Sequence, residues 1–336
     1  MHDELPAREV QRPIGVRAVV YDRYGPPGVL RIEDLTVPSP GANQVLVEVV
    51  ATSVNLSDWE GLLGSPLYAR IGGLRAPKRR VLGSDIAGRV AAVGGGVTRF
   101  RVGDEVYGDN LALMGGFAEY AVVADGMLAH KPEELTFAQA STLPQAGAIA
   151  LQGTARVRPG QRVLVNGAGG GSGTFAIQLA ALAGAHVTGV DNAGKLDYLR
   201  ELGADDVVDY RRSDFTRLEP FDLVLDLVAH RSVFAYRRAL APGGRYFCVG
   251  GAVPTLLGVG MIGAVLGRLT GRRMGVLAVR QGPAHFLPAS ELCVAGDLRI
   301  RIDRTFTLDE VPQALAYVGE GRALGKVVVT PKGSPV

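Results

Sequence analysis

The residues best suited to chemistry lie between Arg162 and Asp191. Val163, Leu164 and Val165 form a short apolar, β-branched run of the kind a buried parallel strand needs. A turn follows with glycines at 167, 169, 170, 171 and 173 and a serine at Ser172. Thr174–Ala183 then reads as a helix stopped by Gly184, and His186–Val190 reads as a second strand ending on Asp191. This order can bind a dinucleotide. Glycines let the backbone close on a pyrophosphate, and the helix start offers free N–H groups and a positive dipole end. Asp191, 21 residues after Gly170, is placed to accept hydrogen bonds from ribose hydroxyls. The glycine register is Gly167-x-x-Gly170-x-x-Gly173 rather than the common G-x-G-x-x-G, so the flanking strands, helix and acid carry the reading.

Those elements need a scaffold. From Arg162 onward strands alternate with helices: Val163–Val165, His186–Val190, Val207–Tyr210, Asp222–Leu227 and Arg245–Val249, with helical stretches at Lys195–Leu202 and Ser232–Leu240. Such alternation implies a doubly wound parallel sheet covered on both faces. The first 130 residues have a different texture, rich in strands and bent by glycine, as in a small, partly open barrel. Ala138–Leu151 reads as a helix kinked at Pro144. The expected division is 14–135 and 286–336 for the strand-rich domain and 136–285 for the nucleotide-binding domain, after a disordered lead at 1–13.

Composition narrows the classes. With 336 residues the chain can bury two sizeable cores. A net charge of +3 with scattered arginines argues against nucleic acid. Two cysteines, Cys248 and Cys293, support neither a disulfide framework nor a four-cysteine zinc cluster. The polar start lacks a signal-peptide core, so a cytoplasmic location is expected. Phe247–Gly267 has no charge over 21 residues, a membrane-span length, but Gly250, Gly251 and Pro254 interrupt it. It reads as a strand end, a loop and an apolar helix near Leu256–Leu266, buried or lining a pocket, with no membrane span.

Several segments together resemble one family. Val54-Asn-Leu-Ser-Asp-Trp59, Leu82-Gly-Ser-Asp-Ile-Ala-Gly88, Gly103-Asp-Glu-Val106, Gly115-Gly-Phe-Ala-Glu-Tyr120, Leu240-Ala-Pro-Gly-Gly244 and Leu324-Gly-Lys-Val-Val328 occur in order around the glycine turn. The chain resembles the medium-chain dehydrogenase/reductase superfamily, in its zinc-independent, quinone oxidoreductase-like branch. The resemblance implies a Rossmann domain inserted in a GroES-like barrel domain, a substrate cleft between them, and a homodimer or tetramer. Zinc alcohol dehydrogenases of the superfamily use an early cysteine and a G-H-E segment. Here those places fall near Asn55 and Ser57 and at Gly83-Ser84-Asp85, so no metal is expected at the site.

The same resemblance assigns roles. Asn55 is expected near the nicotinamide, orienting the ribose or substrate, or else capping a helix. Asp58 is expected to brace that helix. Tyr68 is a candidate hydroxyl donor, because the family's usual tyrosine place after Asn-x-x-Asp is taken by Glu60. Trp59, the single tryptophan, suits a pocket wall or the core. Met261, Leu257 and His285 are candidates to line an apolar pocket, with core packing as the alternative. Topology and resemblance together place Tyr210 near the adenine, and Leu227, Val228, Gly250 and Gly251 near the nicotinamide half. Asp191 favours NAD(H), while Asn192 and Lys195 leave NADP(H) open. Without a metal to polarise a ketone, a conjugated acceptor is the easier substrate. The expected activity is hydride transfer from a nicotinamide to a quinone or to the β-carbon of an enone, with an apolar small molecule as substrate. A zinc-free alcohol dehydrogenase or biosynthetic tailoring oxidoreductase, and a cofactor-binding protein without turnover, are the alternatives.

Overall fold

A computed structural model describes residues 15–71 and 73–333. The lead at 1–13 lies outside the described residues.

The middle of the chain forms a six-stranded parallel sheet in the order Asp206–Asp209, His186–Asp191, Arg162–Asn166, Phe221–Asp226, Leu240–Cys248, Arg273–Val276. Strand order reverses between Arg162–Asn166 and Phe221–Asp226. A crevice therefore opens beyond their carboxyl ends, where α/β sheets bind ligands. The apolar run at 163–165 is explained by burial on both faces. Val163 and Val165 join one core cluster with Leu223 and Leu225, while Leu164 joins the other with Val224 and Tyr246.

A second sheet is built from both chain ends. Its order is Ile302–Thr307, Lys326–Thr330, Gln44–Val54, Asp85–Val93, Glu105–Asp109, Leu128–His130, and Tyr120–Ala124 also pairs with Gln44–Val54. The long strand Gln44–Val54 bends at two register shifts. At Gly88 a Cβ would strike the Glu48 carbonyl oxygen, so only glycine lets the strands approach there. The return strand Lys326–Thr330 pairs with the far end of Gln44–Val54, setting Val327 opposite Val54. A Rossmann sheet inserted in a GroES-like barrel unit is thus the architecture.

Three expectations are corrected. Pro144 starts a new helix, Pro144–Thr154, after the short helix Phe137–Ser141, because a proline at the first helical position loses no hydrogen bond. The boundary at residue 285 falls inside the helix Pro283–Ala295, whose Phe286 and Ala289 pack in the nucleotide-binding core. The apolar segment is helical from Val253 to Thr270 through a π-turn, and its Leu257, Met261, Val265 and Leu269 face outward rather than into a core or pocket. Among the described residues no helix is long and apolar enough to cross a membrane.

Candidate active site

The glycine turn is built as its sequence demands. Gly167 has φ +80°, and a Cβ there would press on Val228 at 2.9 Å. Gly173 packs on the turn itself: a Cβ would strike the Gly167 and Ala168 carbonyls. The helix starts at Gly171, earlier than the expected Thr174, and runs to Leu182. Its first N–H groups, on Gly171, Ser172 and Gly173, therefore have no carbonyl within their own helix and point along its axis. A Cβ on Gly169 would meet Lys195 Cδ at 2.5 Å, and one on Gly171 would meet Lys326 Cδ at 2.5 Å. A cradle of bare backbone between two lysine stems suits a pyrophosphate.

Asp191 ends its strand as expected, but its carboxylate turns back toward the turn. Oδ2 accepts from Gly169 N–H at 2.8 Å, and Oδ1 accepts from Asn192 N–H at 2.8 Å and Nδ2 at 3.1 Å. Lys195 Nζ stands 3.5 Å from Oδ1, both side chains being buried. Tyr210 is half-exposed beside them, its N–H donating to the Asp191 carbonyl. Leu227 and Val228 abut Gly167. Gly251, with φ +118°, closes against Ala229 and the Val228 carbonyl, and Gly250, with φ +70°, faces the Tyr68 hydroxyl. The residues assigned to the cofactor from 167 to 251 are thus gathered around one crevice.

Above the turn lies a buried polar network that the sequence reading did not join up. Asn55 is the residue before the helix Leu56–Leu63. Its Nδ2 donates to Ser84 Oγ at 3.1 Å and to Asp85 Oδ2 at 2.9 Å, and its Oδ1 accepts from Lys326 Nζ at 2.6 Å. Asp85 also accepts from Ser53 Oγ at 3.0 Å and from Gln145 N–H at 3.0 Å. Lys326 Nζ is 3.6 Å from Asp85. Gly325 N–H donates to the Gly169 carbonyl at 2.8 Å, tying this corner to the glycine turn. Asp58 braces the helix as expected, accepting from Asn55 N–H at 2.8 Å and Gly83 N–H at 3.1 Å.

The electrostatics follow from burial. Desolvation raises Asp58 to about 7 against its two backbone donors. It also raises Asp109 to about 7, helped by the charge of Asp85 opposite. Asp85 is raised by desolvation, which the nearby Lys326 ammonium opposes. Desolvation lowers Lys326, and the carboxylates around it oppose that. Lys326 was visible in sequence as the one charge in an otherwise apolar strand, Lys326–Thr330, and all five residues are buried. That anomaly was the signal for it.

The remaining candidates separate. Tyr68 stands at the crevice: its hydroxyl bonds Glu60 Oε1 at 3.0 Å and reaches the Gly251 carbonyl and N–H at 3.4 Å each. Trp59 is spent on packing, since a Cβ on Gly319 would overlap its ring, and it joins the core of Val311, Ala314 and Leu315. Met261 is 71% exposed on the outer helix, away from any lining role. His285 is half-buried in the first turn of Pro283–Ala295, and none of the site's hydrogen bonds involves it.

Comparison with known proteins agrees with this geometry. Residues 41–133 match the alcohol dehydrogenase GroES-like domain, and residues 202–329 match the zinc-binding dehydrogenase family. A 2-methylene-furan-3-one reductase of Solanum lycopersicum is 33% identical, the match covering 95% of this chain and 80% of that protein. The chain belongs to the medium-chain dehydrogenase/reductase superfamily, in its quinone oxidoreductase-like branch. The human mitochondrial NAD(P)H oxidoreductase RTN4IP1 is 34% identical over 93% of this chain and 88% of its own. The quinone oxidoreductase of Coxiella burnetii superposes with a TM-score of 0.84 at 30% identity, covering 94% of this chain and 99% of that one. CurK enoyl reductase gives 0.80 at 26% identity over 94% and 99%. This dehydrogenase/reductase is an NAD(P)H-dependent oxidoreductase, and the cradle at Gly167–Gly173 fits its nicotinamide cofactor. Among the described residues, no three His, Cys, Asp or Glu side chains gather as a metal site.

Proposed function

We propose that the protein is a zinc-independent reductase of quinones or α,β-unsaturated carbonyls. The observation that carries this is the Asn55–Ser84–Asp85–Lys326 network. It puts an amide and a hydroxyl, neither of them a good zinc donor, where zinc relatives carry cysteine and histidine, and it ties up their polar atoms in mutual hydrogen bonds. A site built from hydrogen-bond donors suits an acceptor whose developing charge spreads onto an enolate or hydroquinone oxygen. The cofactor, when bound, supplies the hydride. The chain's part is to hold the pyrophosphate at Gly167–Gly173, to fix the ribose near Asp191 and Asn55, and to deliver a proton from the Tyr68 side of the crevice. The relatives named as quinone, enone and enoyl reductases support the same reading.

An apolar substrate belongs to this proposal. Leu67, Ile71 and Leu74 are all strongly exposed around Tyr68, a greasy lip on the catalytic-domain side. For the cofactor, NAD(H) is favoured, since Asp191 keeps an acceptor at the ribose, but Lys195 offsets its charge and NADP(H) is also accepted. A cytoplasmic location completes the reading. The test is loss of nicotinamide absorbance with NADH and with NADPH, against one quinone and one enone, with and without a chelator. Turnover untouched by chelator is expected. Turnover abolished by chelator and restored by zinc would overturn the metal-free reading, and oxidation of secondary alcohols alone would overturn the substrate class.

A further inference from the structure

Nothing above gives Glu60 a role. It lies on the helix Leu56–Leu63, with its carboxyl 3.0 Å from the Tyr68 hydroxyl. The pair sits at the carboxyl end of the strand Leu240–Cys248. A Cβ on Gly250 would lie 3.5 Å from the hydroxyl and 4.0 Å from Glu60 Oε1. The same hydroxyl reaches Gly251 across the domain boundary. The other titratable group bearing on the pair is the Cys248 thiol, near Tyr68.

A tyrosine has one proton to give. Beside an ionised carboxylate that proton points at the carboxylate and is withheld from the crevice. Beside a protonated carboxyl the bond reverses: the acid donates to the tyrosine oxygen, and the tyrosine proton is free to turn outward. We propose that Glu60 is the positioning residue that sets this choice, so that Tyr68 donates its proton to substrate only while Glu60 carries one. The inference rests on the reductase reading above. Burial favours the protonated acid, holding Glu60 above the ordinary carboxylate range, and it pushes Tyr68 up to about 12. Tyr68 thus stays a neutral donor at working pH.

The step balances. The β-carbon of the enone takes the hydride and its electron pair, leaving an enolate. The Tyr68 O–H bond breaks and the enolate takes the proton. Water returns a proton to the tyrosinate, and Glu60 keeps its own proton throughout, donating its hydrogen bond to the tyrosine oxygen. One proton and one hydride enter the substrate in each cycle.

The experiment is the pH profile of kcat for an enone in the wild type, Glu60→Gln and Tyr68→Phe, with cofactor affinity and melting temperature measured beside it. Wild-type kcat is expected to fall tenfold per pH unit above the ionisation of Glu60. Glu60→Gln carries a permanent donor in the same place, so its profile is expected to be flat, with kcat at high pH above that of the wild type. Below the ionisation of Glu60, Tyr68→Phe is expected to lose on the order of a hundredfold in kcat with cofactor affinity unchanged, and its profile is expected to be flat, meeting that of the wild type at high pH. A Glu60→Gln profile with the wild-type descending limb would overturn the role of Glu60, and undiminished kcat in Tyr68→Phe would overturn the donor. Failure of the wild type to reduce any enone or quinone would instead overturn the reductase reading and take this proposal with it.

Discussion

At the scale of the residue, the most instructive side chain is Asp191. An acid at the end of the second strand reads simply as a ribose acceptor that repels a 2′-phosphate. In the fold it has a second duty, because Oδ2 holds the Gly169 N–H and Lys195 lies beside Oδ1. Removing the acid therefore loosens the turn, and removing the lysine exposes the acid. Lys195→Gln is expected to sharpen the preference for NADH over NADPH by about tenfold, roughly one well-placed charge contact of 1.4 kcal/mol. Asp191→Ser is expected to reverse the preference while weakening both cofactors. Steady-state KM values for the two cofactors check both, and a ratio unmoved by Lys195→Gln would show that the lysine does not face the ribose.

At the scale of the element, the strand pair Asp85–Val93 and Glu105–Asp109 sets Asp85 opposite Asp109, with Lys326 reaching Asp85 from a third strand. Two buried acids beside a single cation make the folded state hold a proton that the unfolded chain releases. Asp109 is raised to about 7, whereas a free carboxyl titrates near 4. Its stabilising contribution is therefore complete below about pH 4 and is lost as pH climbs through 7. Asp109→Asn keeps an oxygen for the Leu111 N–H, which Asp109 now accepts at 2.9 Å, and cannot ionise. Thermal melts are expected to show it more stable than wild type at pH 8, on the order of 1–3 kcal/mol, and nearly equal at pH 4. Equal melting temperatures at pH 8 would place the burial cost elsewhere.

At the scale of the whole molecule, the strand Arg273–Val276 ends the parallel sheet, with the apolar face of Val253–Thr270 packed beside it. An edge strand offers unpaired backbone groups, and a second copy related by a two-fold axis offers the same groups in reverse, so the edge is complementary to itself. Leu257, Met261, Val265 and Leu269 recur at every fourth residue and form one outward stripe. We expect a dimer across this edge. Sedimentation of the Met261→Glu/Val265→Glu variant is expected to show association weakened by at least a hundredfold, with the fold intact by circular dichroism. A wild type that stays monomeric at all concentrations would exclude the dimer, and a wild type that pellets with anionic vesicles would assign the stripe to a lipid surface.

Local order was open to reading because it depends on neighbours in the chain. The strand–glycine–helix–strand run around Gly167–Gly173 and Asp191, the alternation that makes a parallel sheet, and the bracing duty of Asp58 all rest on steric and hydrogen-bonding rules spanning a few residues. Trp59 and Met261 were not decided that way. An apolar or aromatic side chain packs equally well on a pocket wall, in a core or at an interface, and only the position of Gly319 and the outer face of Val253–Thr270 chose for them. Lys326 needed the fold most of all. It lies 271 residues from Asn55, and only the pairing of Lys326–Thr330 with Gln44–Val54 brings its ammonium to that amide. A charge in an apolar strand declares from sequence alone that a partner must exist, since burying it unpaired is too costly. Which partner it finds is a matter of strand order, and strand order belongs to the tertiary structure.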